Sequence, residues 1–113
     1  MTITKELVAA SAVPLVLSIL SEGESYGYAI IKRVRELSGE QLQWTDGMLY
    51  PVLHRLEKLG QISARWRVAQ SGRKRKYYRI KQSGTKALKA QQDQWQAVTA
   101  TLMKLWETKP CLS

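Results

Sequence analysis

Cysteine and histidine are almost absent from this 113-residue sequence, since Cys111 and His54 are the only residues of their kinds. One cysteine excludes an internal disulfide and suits a reducing compartment, and Cys111 receives no predicted role. The sequence also lacks an HExxH motif, a Cys/His cluster and a glycine-rich phosphate loop, and its nine acidic residues are scattered. We therefore expect no catalytic residue, no metal site and no cofactor, and the sequence does not indicate an enzyme.

Long apolar runs are absent as well. The segment from Leu7 to Leu20 is uncharged and mostly apolar, but it has only fourteen residues and contains Pro14, whereas a membrane-spanning helix needs about 20. A signal peptide is not expected, because Lys5 is followed by Glu6 and no A-x-A-like cleavage site precedes the SEGES segment. We expect a cytoplasmic protein with no membrane partner, in which this segment forms a buried helix.

Acidic residues are missing from a long segment in the second half of the chain. From Lys58 to Gln92 there are eleven lysines and arginines and no aspartate or glutamate, and the whole chain has a formal net charge of +9. A single-sign segment of this length indicates a polyanionic partner, such as DNA, RNA or an anionic membrane surface. The alternative is a basic surface that only keeps the protein in solution.

Apolar periodicity predicts a mainly helical chain with a small β-hairpin. The predicted elements are a helix over 4–20, a helix over 26–37, a short strand over 42–44, a helix over 46–59, strands over 62–68 and 77–81, and a helix over 83–107. Two helices in series before a hairpin are typical of the winged helix-turn-helix, whose third helix enters the DNA major groove. We expect a winged-helix region at 1–82 and a long C-terminal dimerisation helix within 83–113, forming one compact domain together.

The first and last predicted helices have more apolar surface than a small domain can cover. The helix over 4–20 is apolar nearly all round, and such a helix must be covered on more than one side. The last helix has an a/d-type seam, formed by Leu88, Trp95 and Leu102 together with Gln91, Val98 and Leu105. The first of these features indicates a partner subunit, and the second is a seam along which the last helix can pair with a second copy.

The third predicted helix has one apolar stripe and one face that is unusual for a solvated surface. Within an arc of about 120° lie the apolar residues Leu49, Val52, Leu53, Leu56 and Leu59. The rest of the helix presents Gly47, Tyr50, His54, Arg55 and Lys58. Glycine allows a DNA backbone to approach closely, while the rings can hydrogen-bond phosphates or base edges and the cations can bind phosphates. The alternative is an ordinary solvated face.

The hairpin turn is a second candidate DNA contact. The predicted turn ends in four consecutive cations, Arg73, Lys74, Arg75 and Lys76. On a flexible tip they suit a narrow, strongly negative minor groove, although a solvated loop or a localisation-like cluster would have the same composition. Alternation along the strands places Trp66 and Tyr78 on the buried side, so we interpret them as core residues and not as stacking platforms for single strands.

Trp95 lies on the seam of the last helix. In a dimer its ring can approach the ring of the second copy, and the two rings can hold a flat ligand between them. The alternative is that Trp95 packs in the dimer interface and does nothing more. The sequence thus leaves a small aromatic effector open.

Three segments of the sequence resemble the PadR family of bacterial winged-helix regulators. They are YGYAI (26–30), GMLYPVLHRLEKLGQI (47–62) and GRKRKYYRI (72–80), followed by Gly84. The resemblance covers nearly the whole chain, and it implies a homodimer joined through the first and last helices. The recognition helices and wings of such dimers bind a palindrome-like operator, usually as repressors. The single C-terminal helix resembles the smaller subfamily, in which some members bind planar drugs between paired tryptophans at the place of Trp95.

Two positions depart from the pattern of that family. Lys81 stands where the family usually has a threonine after the second wing strand, and Gln61 replaces the usual apolar residue before Ile62. The first change is expected to loosen the entry to the last helix or to add a phosphate contact. The cyanobacterial clock-associated (Pex) members of the family are similar in overall plan.

From these observations we predict a sequence-specific regulator of transcription that binds double-stranded DNA as a homodimeric repressor. One alternative is a regulator whose primary event is the binding of a planar drug at Trp95. The other is an RNA- or single-strand-binding module, which the same basic segment would also suit.

Overall fold

The computed structural model of the protein describes residues 1–107, and Cys111 lies outside that range. Within it the chain forms four helices and a three-stranded antiparallel sheet of strand order β1-β3-β2. The elements are α1 (Lys5–Ser21), β1 (Ser25–Tyr26), α2 (Gly27–Leu37), α3 (Asp46–Lys58), β2 (Ile62–Val68), β3 (Lys74–Ile80) and α4 (Gln82–Glu107). The mainly helical winged helix-turn-helix plan expected from the sequence is confirmed.

The core lies where α1, α2 and α3 meet the base of the hairpin. Its fully buried side chains are Val16, Leu17, Leu20, Ile30, Val34, Leu49, Leu53, Leu56 and Ile62. Each stabilises the fold by about 1.5–3 kcal/mol relative to an exposed position. Because α3 commits Leu49, Leu53 and Leu56 to this core, its opposite face points outwards. Leu59, predicted on the apolar stripe, is exposed, and it lies immediately after the last residue of α3, Lys58.

The start of α3 is fixed by a threonine cap. The Met48 amide donates to Thr45 Oγ1 at 3.3 Å and to the Thr45 carbonyl at 3.1 Å, so the threonine side chain caps the first turn. Pro51 then falls in the second turn of the helix. Because proline has no amide hydrogen, the carbonyl of Gly47 lacks its usual intrahelical donor.

The third strand of the sheet is not the one predicted. Residues 42–44 are not a strand, whereas the two-residue strand β1 pairs antiparallel with the middle of β3. The alternation of apolar and polar residues in the LQW segment arises from packing against the core and not from strand pairing. Trp44 is buried in the core, Leu42 is half-buried against it, and Gln43 is exposed. A segment of irregular backbone can thus show the period of a strand without pairing.

The hairpin is longer and its turn shorter than predicted. β3 begins at Lys74, and the ladder extends as far as the pair Val68–Lys74. The turn is confined to 69–73, where the Ala69 amide donates to the Arg73 carbonyl at 2.8 Å. The prediction of a flexible tip that includes all four cations is therefore wrong, because strand pairing continues through 74–76.

The outer half of the hairpin extends beyond the helices, which changes the environment of Trp66. Ile62 at the base of β2 is buried, but Trp66 and Val68 on the same strand face are each 65% exposed. The prediction that Trp66 is a core residue is wrong, since none of the helices within residues 1–107 covers this part of the sheet. Tyr78 is confirmed as a core residue.

The start of α4 is clamped to the turn between α3 and β2. The Lys81 amide donates to the Gln61 carbonyl at 2.9 Å, and the Ser83 hydroxyl donates to the Gly60 carbonyl at 2.7 Å. Gly84 lies against the same turn, where a Cβ on residue 84 would overlap the Gln61 carbonyl oxygen. The backbone of Lys81 takes part in this clamp. That its side chain loosens the entry to α4 or contacts a phosphate stays a prediction.

Only the first part of α4 packs on the rest of the chain. Leu88 is buried, whereas every residue from 97 to 107 is exposed. The 26 residues of α4 give a helix about 39 Å long, and the longest dimension of the molecule is 63 Å. No helix within residues 1–107 combines the length and the apolar character that crossing a bilayer requires.

Candidate nucleic-acid interface

The outward face of α3 presents the predicted DNA-contact residues to solvent. Tyr50 is 44% exposed, and Gly47, His54, Arg55 and Lys58 are exposed as well. Among residues 1–107, the two cations of this face take part in no ion pair. The face therefore offers a phenol, an imidazole and two uncompensated positive charges on a rigid helix.

Gly47 leaves the backbone of the first turn of α3 accessible. A Cβ on residue 47 would have Thr45 Oγ1 as its nearest neighbour, at 3.9 Å. The packing of the protein therefore does not require glycine here. The bare backbone lies close to the helix N-terminus, where free amides and the helix dipole attract a phosphate.

Gly27, the first residue of α2, determines where the Tyr50 side chain lies. A Cβ on residue 27 would overlap the Tyr50 hydroxyl and would lie 2.9 Å from the ring carbon Cζ. Glycine is thus what allows α2 and the phenol to approach so closely. In the sequence, Gly27 is only a part of the YGYAI segment, because its contact with Tyr50 depends on how α2 packs against α3.

A groove of about 680 Å³ connects α3 to the wing, which comprises residues 62–80. Its walls combine rings and cations: Tyr26, Tyr28, Tyr50, Trp66 and Tyr78 with Arg73, Lys74, Arg75 and Lys76. Burial, assisted by nearby Tyr50 and Glu57, raises the pKa of Tyr78 to about 12, so this phenol stays neutral at physiological pH. Tyr50 is the residue by which α3 lines this groove, opposite the four cations of the wing.

The four cations predicted at the turn are divided between the two faces of the wing. We call the face that includes Trp66 and Tyr78 the inner face; strand alternation puts Lys74 and Lys76 on it and Arg75 on the opposite, outer face. Lys74 is exposed, whereas Lys76 Nζ lies 3.7 Å from Glu57 Oε1 of α3. The structure therefore brings these cations to one wing but gives them different surroundings.

Stacked arginine and tyrosine side chains cover the outer face of the wing. The Arg75 guanidinium carbon lies 4.4 Å from the ring centroid of Tyr26, and the Arg67 guanidinium carbon lies 4.0 Å from that of Tyr77. The two tyrosine rings are in edge contact, with centroids 5.3 Å apart. Such contacts hold each guanidinium group in place and leave it charged.

Glu24, in the loop before β1, compensates part of the charge of the wing. Its two carboxylate oxygens lie 3.2 Å from Arg65 Nε and 3.2 Å from Arg67 Nη1. Of the other cations of the wing, Lys76 lies beside Glu57, whereas Arg73, Lys74, Arg75 and Arg79 take part in no ion pair within residues 1–107. The sequence does not identify Glu24 as a wing residue, because it lies 41 positions from Arg65.

Trp95 lines a separate apolar cavity of about 450 Å³ between α1 and α4. The side of α1 contributes Leu7, Pro14 and Leu15 to this cavity, and the ring of Trp95 is half-buried. Trp95 is therefore neither fully packed in the core nor fully exposed. This placement fits either an interface residue or a residue that contacts a flat ligand.

Comparison with known proteins places the chain beside regulators of transcription. The PadR-like family of transcriptional regulators matches residues 16–90. A transcriptional regulator of known structure from Clostridium thermocellum is 30% identical, with 96% of this chain and 100% of that chain covered and a TM-score of 0.83. A PadR-family regulator from Eggerthella lenta is 36% identical over 92% of this chain and 88% of that chain, with a TM-score of 0.75. An uncharacterized protein from Lysinibacillus sphaericus is 33% identical over 84 residues, or 74% of this chain and 77% of the relative.

Proposed function

Since the chain belongs to the PadR-like family of transcriptional regulators, we propose that it represses transcription as a homodimer bound to a palindrome-like operator. As a member of this family it is a DNA-binding regulator and not an enzyme. The observation that best supports the proposal is that Tyr50 of the exposed α3 face and the four cations of the wing line one groove. A helix beside a wing matches a duplex, in which the major and minor grooves are separated by a phosphate backbone.

In this proposal α3 enters the major groove. Tyr50 and His54 contact base edges or position the helix through phosphates, and Arg55 and Lys58 bind phosphates beside them. Gly47 allows the backbone of the DNA to approach the start of the helix. Sequence specificity then depends mainly on the ring side chains, since phosphate contacts are the same for every sequence.

The wing contacts the phosphate backbone and the minor groove. Arg73 and Lys74 bind phosphates directly, because they are exposed and form no ion pair within residues 1–107. Lys76 exchanges its contact with Glu57 for a phosphate, and Arg75 reaches the backbone from its position on the ring of Tyr26. Removing any one of these cations weakens specific and non-specific binding together.

A second copy of the chain covers the apolar surface of α1 and α4 in this proposal. The exposed apolar side chains of α4 include Val98, Leu102, Met103 and Trp106, and a monomer rarely exposes so large an apolar patch. Residues 1–82 of each copy then bind one half-site, and the helix within 83–113 joins the copies. Half-sites one helical turn apart need a separation of about 34–36 Å between the two recognition helices. A cytoplasmic location and a likeness to the Pex members stay predictions.

Operator affinity is expected to fall by roughly 10³–10⁵ between 50 and 200 mM salt if six to ten phosphates are neutralised. The operator is first recovered from genomic fragments that the protein retains.

The Tyr50→Ala substitution is expected to weaken binding to the operator more than binding to random duplex. The Lys74→Ala substitution is expected to weaken both alike and to lower the slope of affinity against salt by about one. Titrations by fluorescence anisotropy at several salt concentrations measure all of these quantities.

Tyr50→Phe is the matched control, because it removes the hydroxyl and keeps the ring. Little salt dependence would contradict duplex binding through phosphates. Equal losses on operator and random duplex in Tyr50→Ala would contradict the assignment of specificity to α3. A preference for single strands in competition would favour the RNA- or single-strand-binding alternative.

A planar effector between paired Trp95 rings is the second candidate function, and the apolar cavity beside Trp95 supports it. A flat cationic dye is expected to quench tryptophan fluorescence with a saturable dependence, and Trp95→Ala abolishes that dependence. Trp66→Phe is the control, since it removes a tryptophan of the wing and leaves the cavity intact. Saturable quenching that persists in Trp95→Ala would place the ligand elsewhere and contradict this candidate.

A further inference from the structure

The inner face of the wing has an apolar patch that the core does not use. Trp66 and Val68 are two positions apart on β2, and each residue is 65% exposed. Strand alternation places both on one face, beyond the last residue that the helices cover. An indole that stays exposed to water contributes little to the stability of the fold. Exposed apolar patches on small domains commonly mark contact surfaces.

The surroundings of this patch are cationic. Trp66 is paired across the ladder with Lys76, and Val68 is paired with Lys74. The Trp66 ring also lines the groove whose opposite wall includes Tyr50 of α3. The indole therefore lies on the same side of the wing as the recognition helix.

We propose that Trp66 contacts DNA through its ring, which packs on the deoxyribose face of a minor-groove wall while Lys74 binds the adjoining phosphate. The inference rests on the proposed function, since it requires that α3 and the wing bind a duplex. Sugar carbons are the apolar part of a DNA backbone, and they lie between rows of phosphates. An apolar patch of Trp66 and Val68 that faces Lys76 and Lys74 across the ladder matches that alternation of apolar and anionic surface.

The charges argue against a second copy of the chain as the occupant of this patch. Two wings packed face to face would bring Lys74, Lys76 and their counterparts together, and like charges in contact are unfavourable. Glu57 offsets only Lys76 among these residues. A polyanion removes the repulsion, whereas a cationic partner does not.

An apolar contact has a signature that a phosphate contact lacks. Burial of the indole releases no condensed counterions, so Trp66→Ala lowers operator affinity about tenfold without changing the slope of affinity against salt. Lys74→Ala lowers both the affinity and the slope, the latter by about one. Trp66→Phe keeps most of the affinity, because a ring remains.

Leu37→Ala is the control for the loss of an exposed apolar side chain. Leu37 is also largely exposed, but it lies at the C-terminal end of α2, whereas the N-terminal end of α2 lines the groove. The Leu37→Ala substitution is therefore expected to leave operator affinity unchanged. Thermal unfolding of each variant is recorded as well, and Trp66→Ala is expected to keep the melting temperature of the wild type. A second readout is the fluorescence of Trp66, whose change on operator binding disappears in Trp66→Phe.

The experiment separates this inference from the proposed function. Wild-type protein that binds no duplex would overturn both. Wild-type protein that binds its operator, together with Trp66→Ala that binds equally well, would overturn the role of Trp66 alone. A fall in the salt slope of Trp66→Ala, matching that of Lys74→Ala, would also overturn it, because the residue would then act only by placing its lysine neighbours.

Discussion

Replacing Val98 and Leu102 together by glutamate is expected to convert the protein to a monomer and to lower its operator affinity by about 10²–10⁴. Both side chains are exposed on the part of α4 that has left the core, so the change does not disturb the fold of one subunit. Four carboxylates in a symmetric apolar interface lose hydration without gaining partners, which opposes association. The second half-site then no longer binds as an intramolecular event, and the avidity of the dimer is lost.

Sedimentation equilibrium gives the mass of the species, and anisotropy with full-length and half-site duplexes gives the affinities. The matched control is the pair Ala97→Glu and Ala100→Glu, which adds the same charge to the same stretch of α4 but lies off the a/d seam. The control is expected to stay dimeric and to lose only the small affinity that two added acids cost near a polyanion. Dimeric Val98→Glu/Leu102→Glu protein would contradict the proposed interface. A monomer with unchanged operator affinity would contradict the two-half-site arrangement.

The elements with a clear period could be located from the sequence. α3 is the best case, because its apolar stripe spans the segment predicted as a helix over 46–59, and the helix is observed from Asp46 to Lys58. β1 is the opposite case, because two residues have no period and their pairing with β3 depends on a chain reversal through α2 and α3. The periodicity of apolar residues therefore identified the long elements such as α3, whereas β1 exists only because the tertiary fold brings it beside β3.

Trp66 shows why the burial of a strand face cannot be judged from alternation alone. Alternation says which side chains share a face, and it correctly groups Ile62 with Trp66. Whether another layer covers that face at a given position depends on how far the hairpin extends past the helices. Ile62 lies over the core and is buried, whereas Trp66 lies beyond it and is exposed.

The candidate interface was predictable in its location but not in its internal contacts. The composition of α3 and the basic segment identified Tyr50 and the four cations of the wing, which line one groove. The other predicted residues of α3 are exposed but do not line it. The contacts that position them cross large sequence separations: Gly27 beneath Tyr50, Glu24 between two arginines, and Glu57 beside Lys76. No short motif encodes such pairs, since they depend on the packing of α2, α3 and the wing.

Gly84→Ala is expected to lower the free energy of unfolding by about 3 kcal/mol, the upper end of what overpacking usually costs. The added methyl would overlap the Gln61 carbonyl oxygen and would lie 2.8 Å from Ile80 Cγ1. The obstructing atom is backbone that also accepts the Lys81 amide, so it cannot move without breaking the clamp at the start of α4. Urea unfolding followed by circular dichroism measures the change.

Gly47→Ala is the matched control, because it makes the same substitution near the start of another helix with the opposite expected sign. A methyl at residue 47 meets nothing closer than 3.9 Å, so alanine is expected to stabilise the fold by about 0.4–1 kcal/mol. The same methyl faces the proposed phosphate position, and Gly47→Ala is therefore expected to weaken operator binding while it raises stability. If Gly84→Ala unfolded at the same urea concentration as the wild type, the clamp at α4 would not be as tight as its geometry indicates. If Gly47→Ala bound the operator as well as the wild type, no DNA backbone would approach the first turn of α3, and glycine there would serve neither packing nor recognition.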